Sequence, residues 1–104
     1  MTTKIKDQVT LTFGSIELTG DLHLASYENG ETAAVLFTDE GTEHISTNLI
    51  AYGFVAQPGQ FFVKDYSEHE GLAQSIVDAG LGTITQTITF GPLNLTAHEI
   101  ALEA

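Results

Sequence analysis

Four histidines and fourteen carboxylates are the groups in this chain best suited to moving protons or ligating a metal. Three of the histidines stand beside an acid, as Glu43-His44, His69-Glu70 and His98-Glu99. A zinc centre or a general base would need such neighbours to converge in space. Adjacent side chains on a strand leave on opposite faces, so neither Glu43-His44 nor His98-Glu99 is a bidentate pair by spacing. No H-E-x-x-H or EF-hand pattern occurs, and solvated or capping roles are the default for these histidines. Glu17, Asp21 and His23 share a strand face. At the usual rise per residue Glu17 and Asp21 are ~13 Å apart, too far to share a proton on that strand alone. Ser67 lacks a G-x-S-x-G setting, and no glycine-rich segment leads into a Lys-Ser or Lys-Thr pair. The expectation is a protein that is not an enzyme and carries no cofactor or metal.

The carboxylates say more through their balance than through any pairing. Against them stand three lysines and no arginine, for a formal charge of −11 and a pI near 4.3. Affinity for nucleic acid comes from clustered Lys and Arg that displace counterions, so direct nucleic-acid binding is excluded. An anionic membrane surface is disfavoured for the same reason. A basic protein surface, a cation or solubility from self-repulsion fits the charge. The acids best placed for a basic partner lie on turns, a strand face and a predicted helix start: Glu17, Asp21, Asp39, Glu40, Glu43, Asp65, Glu68 and Glu70.

At 104 residues and 42% hydrophobic content, residues 1–104 form a single domain able to bury one core. Cysteine is absent, which removes disulfides and thiolate sites and suits a reducing cytoplasm. No apolar stretch approaches the ~20 residues that span a bilayer as a helix. Asn94-Leu95-Thr96 matches a glycosylation acceptor, and chance is its default reading without a secretory signal.

Hydrophobic periodicity supplies the elements. Val9, Leu11 and Phe13 alternate with polar residues as a half-buried strand, and Gly14-Ser15 fits a two-residue turn. Ile16, Leu18, Leu22 and Leu24 make one face of the next strand, with Gly20 on that face marking a bulge or a close backbone approach. Asn29-Gly30 predicts a hairpin. Residues 33–37 are apolar on both faces and predict a central strand covered on both sides. Asp39-Glu40-Gly41 turns the chain into a strand over 43–49. An irregular stretch over 50–59 follows, then a strand over 60–64.

Ser67-Glu68-His69-Glu70 reads as a capping box opening a helix over about 68–79, with Gly80 as a left-handed C-cap. Gly71 falls in its first turn at a cost of roughly 1 kcal/mol against Ala. The threonines at 83, 85, 87 and 89 suit the solvated face of a strand. In the last strand, 93–102, the apolar set changes parity, which predicts a bulge or strand end near His98. The sum is an α+β fold: a mainly antiparallel sheet of about six strands with a single helix packed on one face.

The stretch Val63-Lys64-Asp65-Tyr66-Ser67-Glu68-His69-Glu70-Gly71 resembles the (I/V)KDYSENEG segment of a family of small acidic proteins of unknown function, encoded largely by phages and bacterial mobile elements. Residues 30–39 and 45–49 also look like two strands of that family, and the likeness extends over roughly residues 27–81. His69 departs from the family's usual Asn. The resemblance implies no catalytic residue. It implies a mobile-element accessory protein, a class in which inhibitors of host defence are common. Read for structure alone, the motif is a strand-to-helix corner, with Lys64 paired to a carboxylate and Tyr66 packed on the helix.

Charge and resemblance together predict an acidic binding protein, acting in the host cytoplasm, that inhibits a defence protein of the anti-CRISPR or anti-restriction kind. It would do so by occupying a basic nucleic-acid-binding surface. The alternatives are an interaction domain that homodimerises through a sheet edge or the apolar 50–63 region, or a divalent-cation binder.

Overall fold

A computed structural model describes residues 2–103. Seven antiparallel strands form two sheets, and the fold is α+β with a single α-helix. The first sheet is a meander of β1 (Thr3–Phe13), β2 (Ile16–Ser26), β3 (Thr32–Thr38) and β4 (Gly41–His44), in that order. β5 (Phe61–Lys64), β6 (Gly82–Phe90) and β7 (Leu95–Leu102) form the second, in the order β5-β7-β6. Helix α1 (Leu72–Asp78) connects β5 to β6.

The core lies where both sheets and the helix meet. Leu11, Leu22 and Leu36 of the first sheet pack against Phe61, Val63 and Ile100 of the second and Leu72 and Ile76 of α1. Each strand side uses the alternation read from sequence, since a period of two sends every second side chain inward. β3 is central, and residues 33–36 are buried on both faces while Phe37 reaches solvent. Gly20 is a close approach rather than a bulge: a Cβ there would collide with the Phe37 carbonyl on β3. The bulges fall across the ladder on β1, where Gln8 has φ 51° and Asp21 accepts its amide at 3.0 Å.

The expected strand over 43–49 stops at His44. Ile45 and Ser46 both donate to the Ala34 carbonyl, and Thr47 then donates to Phe62, so the segment crosses from one sheet to the other. Buried Ser46 accepts the Ala34 amide at 2.9 Å and meets the Tyr27 hydroxyl at 2.8 Å. The crossing therefore leaves its polar group satisfied.

The capping box is not formed. Residues Ser67–His69 make a 3-10 turn, Ser67 has φ 53°, and no side chain caps either turn or helix. Gly71 at φ 87° breaks the helical path, and α1 starts only at Leu72. The Gly71 amide is taken instead by the Asp65 carboxylate at 2.9 Å. An acid six residues upstream has replaced the serine, because the left-handed glycine resets the chain direction. The C-terminus agrees with the sequence: Gly80 at φ 75° donates to Val77, and Leu81 to Ile76, a Schellman end.

No bulge occurs in β7, whose register with β5 runs unbroken from Ile100 to Ala97. Both faces of the second sheet are apolar, which accounts for the parity change. Ile100 faces the main core, while Ala97 and Leu95 join Phe62, Phe90, Leu49, Phe54 and Tyr66 in a second cluster outside the sheet. The bulge lies on the neighbouring strand β6, between Ile84 and Gln86, and carries Ile84 and Ile88 to opposite faces. Tyr66 packs in that outer cluster rather than on the helix, and Lys64 lies over its ring at 5.7 Å instead of pairing with an acid.

Candidate functional site

The inner face of the first sheet extends beyond the helix and second sheet that cover it. Its uncovered end is a groove of about 370 Å³ floored by Phe13, Ile16, Leu18, Ile45 and Leu72, with Glu43, Glu68, His44 and His69 along it. Two further openings share its walls. Leu18 and Glu43 also line the opening toward Glu17, Asp39 and Glu40, at the hairpin between β3 and β4. Phe13, Ile16 and Glu68 also line the one toward Glu70.

Of the eight acids expected to meet a basic partner, Glu43 and Glu68 line the groove itself, Glu17, Asp39 and Glu40 line the first adjoining opening together with Glu43, and Glu70 lines the second together with Glu68. The failed capping box has a direct consequence here. Glu68 and Glu70 carry no capping duty, and Glu68 stands at the groove and Glu70 at the opening beside it. Glu43 belongs to β4, an edge strand, and is opposite buried Leu36, so it projects on the side of the sheet that holds the apolar floor. Charge turned inward on an edge strand is also a known defence against sheet-to-sheet pairing.

Asp21 and Asp65 are elsewhere and have structural partners. Asp21 holds the β1 bulge, and its carboxyl is drawn below the usual range by the Gln8 amide first and by Lys4, 3.6 Å away. Asp65 accepts the Gly71 amide with one oxygen and the His98 Nε2 hydrogen, at 2.7 Å, with the other. The amide is the main cause of its lowered pKa, with His98 adding to it. A carboxylate can only accept, so Nε2 carries the proton and, in neutral His98, Nδ1 accepts the Thr87 hydroxyl at 2.8 Å. Thr87-His98-Asp65 has the order of a proton relay, but the chain runs from β6 through β7 to the backbone of the corner, where it fixes position.

No protein-family model, curated protein or solved structure matches the chain. The site therefore rests on its own geometry.

None of the three lysines lines the groove or its side openings. Lys4 is drawn 2.8 Å from Asp7, which together with Asp21 raises its pKa. Among the described residues, no three His, Asp or Glu side chains are grouped to hold a metal ion. The groove thus offers an apolar floor within a rim of negative charge that this chain does not neutralise. Carboxylates crowded in a concavity focus the field and repel one another, and a cationic partner relieves both effects.

Two acids outside the eight expected at a partner surface, Glu99 and Glu31, are bound to the fold itself. Glu99 is 2% exposed, accepts the Gln57 amide at 2.8 Å and receives the Gln86 side-chain amide at 2.9 Å. Glu31 accepts the neighbouring Ala56 amide at 3.0 Å. Successive amides of the irregular loop are thus held by one carboxyl from each end of the fold. Alternation along β7 places Glu99 on the same face as Ala97, a hint in the sequence, but its partners come from distant segments.

Proposed function

We propose that this chain is a non-enzymatic inhibitor of phage or mobile-element origin, which occupies a basic nucleic-acid-binding surface on a host defence protein of the anti-CRISPR or anti-restriction kind. It acts in the host cytoplasm. The observation that carries this reading is that Glu43 and Glu68 line a groove whose two adjoining openings are lined by Glu17, Asp39 and Glu40 and by Glu70, with no lysine in any of the three.

A surface that recruits phosphates recruits carboxylates by the same electrostatics. The rim would compete with DNA or RNA for Lys and Arg side chains, and the Phe13, Ile16 and Leu18 floor would receive an apolar residue beside them. Surface ion pairs alone contribute only about 0–1 kcal/mol each. The apolar floor gives the interface a desolvated centre, where binding energy concentrates.

The test is competition for nucleic acid. Nuclease complexes from host defence systems are titrated with the protein while their DNA binding is followed, across a salt series. The reading expects displacement of DNA that weakens as salt rises. No displacement from any such complex, or displacement indifferent to salt, contradicts it.

A further inference from the structure

Asn29-Gly30 closes the hairpin between β2 and β3, and the pair has a reactivity that the turn itself does not use. Both residues are exposed. The Tyr27 amide donates to the Glu31 carbonyl at 2.8 Å, and the Gly30 amide to the Tyr27 carbonyl at 3.0 Å. Asn29 Oδ1 accepts the Glu31 amide at 3.1 Å. Such an Asx turn folds the side chain back along its own backbone, which brings Asn29 Cγ round toward the Gly30 nitrogen. It also sets a donor on the oxygen where charge develops when Cγ is attacked. Gly30 has φ 87° and nothing within 4 Å of where its Cβ would stand, so a ring can close on its nitrogen without collision.

We propose that Asn29 is a modification site, converted without an enzyme to aspartate and isoaspartate through a cyclic imide closed by the Gly30 nitrogen. Hydroxide takes the Gly30 amide proton, which releases the bond to Tyr27, and the nitrogen attacks Asn29 Cγ. The Cγ–Nδ2 bond breaks and Nδ2 leaves as ammonia. Water then opens the imide at either carbonyl. Opening at Cγ restores the ordinary backbone with aspartate at position 29. Opening at the main-chain carbonyl leaves Gly30 joined through Cγ, the isoaspartyl form. The sum is amide plus water to carboxylate plus ammonium, with no change of oxidation state.

The chain carries its own comparison. Asn48 makes the equivalent bond, its Oδ1 accepting the Ile50 amide at 3.2 Å, but the next residue is Leu49, which is buried. Asn94, at φ 51°, is followed by Leu95. A branched side chain beside the nitrogen hinders ring closure, and only glycine leaves it open. The effect reaches the loop over residues 54–60, because Glu31, two residues on, holds the Ala56 amide at 3.0 Å. The isoaspartyl form puts an extra carbon into the backbone of a turn that sets Ser26 opposite Thr32, and so displaces Glu31. Asn29 lines neither the groove nor its openings, so the inference does not depend on the inhibitor reading.

The test incubates the whole folded chain in mildly alkaline buffer, then maps its peptides by mass spectrometry and scores isoaspartate by enzymatic methyl labelling. Residue 29 should lose its amide at least about tenfold faster than Asn48 or Asn94. Both products should appear there, and Asn29→Ser should take up no label at that position. In the isolated isoaspartyl fraction the Ala56 amide should exchange with solvent faster than in the starting protein. An amide retained at Asn29, or lost no faster than at Asn48, overturns the site. An Ala56 amide equally protected in the isoaspartyl protein overturns its link to the loop.

Discussion

Asp65 and His98 meet at 2.7 Å where the end of β5 faces β7, and the other oxygen of Asp65 holds the Gly71 amide. This pair, rather than a capping serine, sets the corner that carries Glu68 and Glu70. The Asp65 pKa is lowered in the folded chain, mainly by the Gly71 amide. A lowered folded value means stability that is complete above the ordinary carboxylate value of about 3.9 and lost as pH falls from there through the folded value. Urea unfolding across that acid window should show wild type losing stability more steeply than Asp65→Asn. Near neutral pH, Asp65→Ala should cost about 1.5–3 kcal/mol, the range for hydrogen bonds to a charged group. Parallel pH curves for wild type and Asp65→Asn would remove this role.

Glu99 leads to a second prediction, about the loop over residues 54–60. Its carboxyl oxygens satisfy the Gln57 amide and the Gln86 side chain in a site almost closed to water. Glu99→Ala leaves both donors without a partner and should cost about 1–3 kcal/mol for each one that water cannot reach. Hydrogen exchange should locate the damage, with the Gln57 amide losing protection before the amides of β3. Unchanged exchange at Gln57 would show that the loop is held by other means.

Gly20 gives a third. Its missing side chain admits the Phe37 carbonyl, which a Cβ would strike along with the adjoining backbone. Backbone cannot swing aside as a flexible side chain does, so Gly20→Ala should destabilise by about 1–3 kcal/mol, the usual range for overpacking. Gly30→Ala is a control in open space: Gly30 has φ 87° with nothing near its Cβ position, and its cost reports backbone strain alone. A Gly20→Ala variant as stable as wild type in thermal melting would show that β2 and β3 can separate freely there.

The meander was readable from sequence because every cue in it is local. Phe13 and Ile16 flank a two-residue turn, Thr38 and Gly41 another, and alternation does the rest. The Gly80 cap was equally plain. What misled was competition between local signals. Ser67 and Glu70 have capping spacing, but Gly71 beside them adopts φ 87° and restarts the helix, a choice settled by the distant carboxylate of Asp65. The division into two sheets was hidden for a related reason. β5 and β7 pair Val63 with His98 across a helix and another strand, and no periodicity encodes a register over that separation. In the groove, Phe13, Ile16 and Leu18 were identified as inward-facing. That Ile16 and Leu18 stay partly exposed, and that Glu43 of β4 and Glu68 of the corner line the same groove, depends on how the sheets stack. Asp21 and Asp65 looked like their neighbours in sequence, and only their amide partners separate them.

The central claim is that the acid-rimmed groove binds a basic partner, and Glu43, which belongs to both the groove and its side opening, is the residue on which to test it. The measurement is the affinity of wild type and of Glu43→Lys/Glu68→Lys for a defence nuclease complex that the wild type displaces from DNA, at low and high salt. The two substituted positions are exposed, so folding should be retained. The account predicts at least about a tenfold loss of affinity at low salt, a shallower salt dependence, and no loss for the control Glu28→Lys, a position outside the groove. Equal affinity for wild type and the double variant would contradict it.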